Sequence, residues 1–155
     1  MDRSIILNVR IAKDTVFPLK SLTTAHLVPN RGIEGDRYFY NLGSFSTGEL
    51  PAYDVSIIEE DMYLKLVQAS LCTGNVKALR RNIIVSGFSL AMFIEQPFQI
   101  GTTLLRGIMP RRLIHLPLKE VVGMRLSTGI GAQVLTEGII CLGDELCLVK
   151  SLATS

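Results

Sequence analysis

The stretch GIGAQVLTEGIICLGDELCLV, residues 129–149, decides the fold class of this chain. It divides into short runs of aliphatic and β-branched residues that are separated by Glu137-Gly138 and Gly143-Asp144. Such pairs are typical of tight turns between strands, because glycine accepts backbone angles that other residues avoid. The pattern therefore predicts successive β-strands in this part of the sequence.

The preceding sequence repeats this pattern of short apolar runs between Gly, Pro, Asn or Asp breaks. Further strands are predicted for SIILNVRIA (4–12), LTTAHLV (22–28), DVSII (54–58), RRNIIVSGF (80–88) and, with a bend at Gly101, PFQIGTTLLRGI (97–108). Sheets of many short strands commonly remove their exposed edges by closing. We therefore expect a mainly β fold, a closed or nearly closed β-barrel with one or two helices.

One helix is predicted for residues 57–70. Apolar residues three and four apart form a single stripe there: Ile58, Met62, Leu66 and Ala69. Ser56 and Glu59 have the spacing of a capping box and are expected to start this helix. Met62 is expected in the core, and a second, weaker helical segment is predicted near residues 118–122.

Length and hydropathy indicate the class of protein. The chain has 155 residues, the usual size of one domain, so we expect a single domain over residues 1–155. Its apolar content of 48% and mean hydropathy of +0.35 are high, yet no apolar run is long enough to cross a bilayer. The opening residues carry no signal-peptide pattern. We expect a soluble, cytoplasmic protein with no membrane partner.

The charge pattern argues against a nucleic-acid partner. The net charge is only +2, from 16 basic and 14 acidic residues. The basic residues are scattered, apart from the pairs Arg80-Arg81 and Arg111-Arg112, whereas nucleic-acid binding requires a concentrated basic patch.

The three cysteines, Cys72, Cys141 and Cys147, have no CxxC spacing and lie among apolar neighbours. This context predicts reduced, buried thiols. In a two-residue hairpin Cys141 and Cys147 would face opposite sides, which prevents a disulfide, although a three-residue loop would change this. Two histidines and three separated cysteines do not supply a clustered ligand set, so no metal site is expected. His26 is expected to be a hydrogen-bonded structural residue.

The loop RGIEGDRYFY, residues 31–40, combines two glycines with the charged pair Asp36 and Arg37. It has two interpretations. The loop could form the rim of an anion pocket, with Asp36 holding either the turn or Arg37 by hydrogen bonds and Arg37 directed at the ligand. It could equally be a connecting turn in which Arg37 has a structural role.

Two more clusters offer groups for an anion. Arg81 and Asn82 directly precede a strand, and Arg111 and Arg112 are followed by His115. The forked guanidinium group matches two oxygens of a phosphate or carboxylate. A solvated strand entrance is the alternative for Arg81. His115 has no nucleophile at a recognisable spacing and is not expected to be a catalytic base.

Taken in order, several segments resemble the MOSC family, the C-terminal domain of molybdenum cofactor sulfurases. These segments are GIEGDRY (32–38), VSIIE (55–59), RRNIIV (80–85), FQIG (98–101), AQVL (132–135) and GD (143–144). The resemblance covers nearly the whole chain. It implies a β-barrel-like domain and a pocket for the molybdenum cofactor, molybdopterin, which is a phosphate-bearing pterin with a dithiolene-bound metal, or for a related ligand.

The chain departs from that family at one chemically important position. In the family, a cysteine in a Pro-Cys segment is thought to carry sulfur or to ligate molybdenum, for which a soft, nucleophilic thiolate is suited. The matching stretch LLRGIMPRRLIHL (104–116) has Arg111 after Pro110 and no thiol. Whether the chain is an enzyme therefore stays open at this point.

Three hypotheses remain. The first is a binding module that holds a small anion such as a pterin phosphate; its pocket residues would be Asp36, Arg37, Arg81, Asn82, Arg111, Arg112 and His115. The second is a sulfur-transfer or molybdenum cofactor-dependent enzyme that uses a non-standard residue. The third is a regulatory or dimerisation module that associates into a homo-oligomer through exposed apolar surface.

Overall fold

The computed structural model describes residues 4–12, 19–36, 54–73, 81–87, 90–108 and 129–149. In these ranges the strands are β1 (Ile6–Ile11), β2 (Lys20–Leu22), β3 (Thr24–Val28), β4 (Gly32–Ile33), β5 (Val55–Glu59), β6 (Ile83–Val85), β7 (Pro97–Ile100), β8 (Thr103–Ile108), β9 (Ile130–Thr136), β10 (Gly138–Cys141) and β11 (Leu146–Leu148). The helix α1 is Glu60–Thr73, and a 3-10 helix covers Leu90–Phe93. The prediction of a mainly β fold is confirmed.

Eight of the described strands form the main sheet, in the order β11-β7-β8-β9-β5-β6-β1-β2. The pairs are antiparallel except for β5 and β6, which run parallel. Parallel neighbours need a long crossover connection, and α1 follows β5 directly to begin it. This crossover places the amino-terminal ends of β5 and β6 side by side.

The main sheet curls into a half-barrel, so of the predicted closed or nearly closed barrel full closure is not found. Closure requires a continuous ladder between the outermost strands. The Leu146 amide at the start of β11 donates to the Ser4 carbonyl at 2.8 Å, and the Ile6 amide donates to the Asp144 carbonyl at 2.9 Å. These bonds join only the start of β1 to β11. The outermost strand on that side is β2, which has only three residues, and the described strands show no ladder between β2 and β11.

Alternating side chains of the main sheet fill the interior of the half-barrel. Val9, Ile57 and Leu105 have no exposed surface. The rings of Phe93 and Phe98 lie with their centroids 4.8 Å apart, tilted by 45°. Burial of such apolar surface is the main favourable contribution to folding.

A second, smaller cluster covers the outer face of β5 and β6 beneath α1. It contains Ile58, Met62 and Ile84, and Met62 is only 3% exposed, which confirms its predicted place in the core. Because both faces of β5 are covered, all five of its residues are buried.

The predicted start of the helix is wrong. The helix begins at Glu60, whereas Ser56 and Glu59 belong to β5 and form no capping box. The backbone amide of Ser56 donates instead to the side chain of Asn82 at 3.1 Å. Strand pairing and this tertiary contact therefore outweigh the local spacing. The segment 118–122, predicted to be helical, lies outside the described residues.

Three further strands form a separate sheet in the order β10-β3-β4. The chain passes from β9 in the main sheet to β10 in this sheet, and then back to β11 in the main sheet. The breaks at Glu137-Gly138 and Gly143-Asp144 are therefore real, but they join strands of different sheets instead of hairpin partners. Gly32 lies against the main sheet, where a Cβ atom would be 2.3 Å from the Asp54 carbonyl oxygen.

Candidate anion-binding rim

Three of the seven residues predicted to bind a ligand lie at one end of the main sheet, where β1 ends and β5 and β6 begin. We call this end the rim and define it by the polar residues Arg10, Asp36, Asp54, Arg81 and Asn82. The topology causes this meeting, because β1 is antiparallel to β6 while β5 is parallel to it. Segments distant in the sequence are therefore neighbours here.

Asn82 holds three strands together at the rim. It is 2% exposed, and its Oδ1 accepts the Ser56 amide at 3.1 Å and the Ser56 hydroxyl at 3.3 Å. Its Nδ2 donates to the Arg10 carbonyl at 3.1 Å. Both ends of the amide are thus engaged with β1 and β5, and a buried amide needs such partners.

Asp36 ties the GIEGD turn to the end of β1. Asp36 is 1% exposed, and its Oδ1 accepts the Ala12 amide at 2.9 Å. Its own amide donates to the Ile33 carbonyl at 3.0 Å, which forms the turn. The side chain of Asp36 therefore fastens the turn to the end of β1.

Arg81 lies half-buried directly before β6. Its carbonyl accepts the Nε hydrogen of Arg10 at 3.2 Å. Nη1 of Arg10 donates to the Tyr63 hydroxyl at 2.8 Å, and its Cζ is 4.7 Å from the centroid of the Tyr63 ring. The Arg10 side chain thus contacts the backbone of Arg81 at the rim and is held there by hydrogen bonding and a cation–π contact.

Sequence reasoning missed Arg10 and Asp54. A signal existed for Arg10, a charge within an otherwise apolar strand. Oδ2 of Asp54 accepts the Val134 amide at 2.9 Å and the Asn30 amide at 3.2 Å, which links the two sheets. Burial raises the pKa of the Asp54 carboxyl, and the two amide hydrogen bonds partly offset this. The only feature of the sequence that could have identified Asp54 is an acidic residue directly before a buried strand.

The remaining predicted ligand-binding residues, Arg37, Arg111, Arg112 and His115, lie outside the described residues. The rim as described contains Asp36, Arg81 and Asn82 of the predicted set. Convergence of the other four on the rim stays a prediction.

The described cysteines belong to strands that do not form the rim. Cys141 is in β10 and pairs with Thr24, while Cys147 is in β11 and pairs with Gln99. Both thiols are free, as predicted, but neither is buried: Cys141 is half-buried and Cys147 is exposed. Because the two belong to different sheets, the hairpin argument against a disulfide does not apply. Nothing is described of the Cys72 side chain.

Metal ligands are not grouped in the part of the chain that the structure describes: it contains no cluster of three His, Cys, Asp or Glu side chains suited to a metal ion. Across the same residues, no helix combines the length and apolar character needed to cross a membrane.

The fold is similar to solved structures of low sequence identity. The YuaD protein from Bacillus subtilis is 19% identical with a TM-score of 0.61, over 94% of this chain and 94% of that chain. YiiM from Escherichia coli is 17% identical with a TM-score of 0.59, over 97% and 71%. YiiM from Geobacillus stearothermophilus is 17% identical with a TM-score of 0.54, over 95% and 75%.

No family model matches the sequence, and no curated protein matches it significantly. YuaD and YiiM are MOSC-domain proteins, so the structural likeness supports a MOSC-like fold for this chain. At these identities the likeness concerns the fold alone.

Proposed function

We propose that this chain is a MOSC-like protein that binds a small anionic ligand of the pterin phosphate type at the rim. The observation that carries this proposal is the hydrogen bond from the Arg10 guanidinium to the Arg81 backbone, which makes the two arginines neighbours at the end of a MOSC-like sheet. Guanidinium groups suit phosphate because their forked donors match two oxygens.

The proposal divides the predicted residues by role. Asp36 and Asn82 are buried, and their side chains accept or donate hydrogen bonds within the fold. They act as positioning residues that fix the turn and the three strands. Arg81 is the ligand-contacting residue, and its carbonyl is fixed by Arg10 at 3.2 Å. A backbone held in place reduces the entropy lost when a side chain grips a ligand.

The remaining predicted residues complete the proposed pocket. In this proposal Arg37, Arg111, Arg112 and His115 add further positive charge or hydrogen-bond donors around the same anion. Their contribution rests on the resemblance and on the charge of their side chains.

The described residues fit only one part of the molybdenum cofactor. Arginines at the rim suit the phosphate of the pterin. Among the described side chains, however, none at the rim is a thiol that could hold molybdenum or carry sulfur, since Cys141 and Cys147 lie on β10 and β11. We therefore derive no sulfur-transfer step, and binding is the function that these residues support best.

Native mass spectrometry with metal analysis tests the proposal, using protein produced in a host that makes molybdenum cofactor. Wild type, Arg81→Ala and the control Lys65→Ala, which alters an exposed residue of α1, are compared. A pterin mass retained by wild type and the control but lost from Arg81→Ala supports the proposal. If all three proteins retain the pterin equally, the rim is not the binding site. If wild type carries no pterin, the proposal that the ligand is a pterin phosphate is wrong.

A homo-oligomer is the second candidate, and exposed aliphatic side chains favour it. Leu7 is 42% exposed and Leu142 is 43% exposed. The two lie near each other, because the Gly143 amide donates to the Ile6 carbonyl at 2.9 Å. Sedimentation velocity of wild type and of Leu7→Ser/Leu142→Ser tests this candidate: a dimer that becomes a monomer in the variant supports it, and a monomeric wild type contradicts it.

A further inference from the structure

His26 lies between two carboxylates on the three-stranded sheet. Its Nδ1 is 3.1 Å from Oε2 of Glu34, and its Nε2 is 2.6 Å from Oε2 of Glu137. The imidazole is 32% exposed and the two carboxylates are 59% and 61% exposed. The group is thus reached by solvent protons.

This arrangement favours one protonation state of the ring. A neutral imidazole carries one N–H donor and one lone pair, whereas the imidazolium carries two donors. With carboxylate oxygens at both nitrogens, only the imidazolium can donate to both. Accordingly, the hydrogen bond to Glu34, followed by that to Glu137, raises the pKa of His26 above 6.5.

The two carboxylates belong to the connections between the sheets. Glu137 occupies the single position between β9 of the main sheet and β10 of the smaller sheet. Glu34 opens the turn that ends in Asp36, and its amide also donates to the His26 carbonyl at 2.9 Å.

The two residues that follow Glu34 contact the end of β1 at the rim. Gly35 packs so closely on β1 that a Cβ atom there would be 3.1 Å from Cδ1 of Ile11. The next residue, Asp36, accepts the amide of Ala12 at 2.9 Å. A change in how Glu34 is held therefore acts on the residues that attach the turn to β1.

We propose that His26 is a pH-sensitive switch, in which the imidazolium fastens the turn of residues 34–36 to the β9–β10 connection. When the proton leaves, one nitrogen presents a lone pair to a carboxylate, and that link is replaced by repulsion. The turn loosens, and its hold on Ala12 weakens.

Among the residues that the structure describes, few other charges act on this ring. The described elements that pack most extensively against β3 are β4, β9 and β10. Their sequences, GI, IGAQVLT and GIIC, contain no charged side chain, and their one titratable group is the thiol of Cys141. The turn before β4 contributes Arg31, an exposed cation. Glu34 and Glu137 are therefore the groups that determine how the protonation of His26 depends on pH.

NMR titration between about pH 5.5 and pH 8.5 tests the switch. The His115→Gln variant leaves His26 as the remaining histidine, since the chain has two, so its ring signals are unambiguous. We expect His26 to titrate above the ordinary 6.5, and the Ala12 amide resonance to shift along the same curve. The double variant Glu34→Gln/Glu137→Gln should return the ring toward 6.5, and His26→Gln should abolish the response of Ala12.

Two results would overturn the proposal. A His26 that titrates at or below 6.5 would show that the ring does not hold both carboxylates. A raised pKa with an unresponsive Ala12 amide would show that the cluster is not coupled to the turn. The consequence for ligand binding rests on the proposed function, but neither readout requires a ligand, so the two proposals can fail separately.

Discussion

Ser56 and Asn82 exchange hydrogen bonds at the start of two parallel strands. The Ser56 amide donates to Oδ1 of Asn82 at 3.1 Å, and the Asn82 amide donates to Oγ of Ser56 at 3.0 Å. The side chains thereby satisfy backbone groups at the strand ends, where the parallel ladder begins. These two hydrogen bonds hold the starts of β5 and β6 together at the rim.

Replacement of Asn82 should destabilise the protein. Asn82→Ala leaves the buried Ser56 amide without its acceptor, which costs about 1–3 kcal/mol of the free energy of unfolding. Asn82→Asp should cost more, because it buries a charge and faces the Arg10 carbonyl with an acceptor instead of Nδ2. Urea denaturation measures both.

The matched control is Gln99→Ala, which removes an exposed amide that donates to the Gly101 carbonyl. It should change the free energy of unfolding by less than about 0.5 kcal/mol. Asn82 variants as stable as this control would contradict its role in joining the strands.

Met62 should carry the packing of α1 on the sheet. Met62→Ala removes a side chain that is 3% exposed and should cost about 2–5 kcal/mol. Leu64→Ala is the control, since Leu64 is 54% exposed and its loss should cost less than about 0.5 kcal/mol. Thermal and urea unfolding distinguish them, and equal costs would mean that α1 does not pack through Met62.

Gly107 should tolerate no side chain. A Cβ atom there would be 2.1 Å from the Phe93 carbonyl oxygen, and because this neighbour is backbone, Gly107→Ala should cost about 3 kcal/mol. Gly143 has open space but a φ of +90°, so Gly143→Ala should cost only about 1–2 kcal/mol. If urea unfolding shows that Gly143→Ala costs more than Gly107→Ala, the close contact between Gly107 of β8 and the Phe93 carbonyl is contradicted.

The stability contribution of His26 should depend on pH. Because the pKa of His26 is raised in the folded state, its contribution is fully present below the unfolded value of 6.5 and is lost as pH rises through the folded pKa. The difference in melting temperature between wild type and His26→Gln should therefore be largest at acid pH.

Salt provides the control for this pH dependence. The ring and both carboxylates are exposed, so high ionic strength should reduce the difference. A difference that is constant over pH would show that His26 makes no charged link in solution.

The sequence predicted those parts of the fold that depend on local pattern. Apolar runs located most of the strands, and the spacing of Met62 placed it in the core. The start of α1 was wrong because Ser56 pairs with Asn82, 26 residues away. The switch from β9 to β10 was missed because a turn pattern identifies a break but not the sheet that the next strand joins.

The polar contacts of the candidate site show the same limit. Asn82 was identified from its place before a strand, but its bond to the Arg10 carbonyl spans 72 positions. His26 was correctly predicted to be hydrogen-bonded, yet Glu137 is 111 positions away. Such partners are set by topology, which no short motif encodes.

The most direct test of the central claim is an equilibrium titration with a pterin that carries a phosphate monoester, followed by pterin fluorescence at low and high salt. We expect Arg81→Ala to weaken binding roughly 10-fold to 100-fold, as the loss of a charge-assisted contact worth about 1.5–3 kcal/mol requires. Salt should weaken wild-type binding, and replacement of Cys72, Cys141 and Cys147 by alanine should not. Unchanged affinity in Arg81→Ala, or binding lost with the cysteines, would contradict recognition of an anion by arginines at the rim.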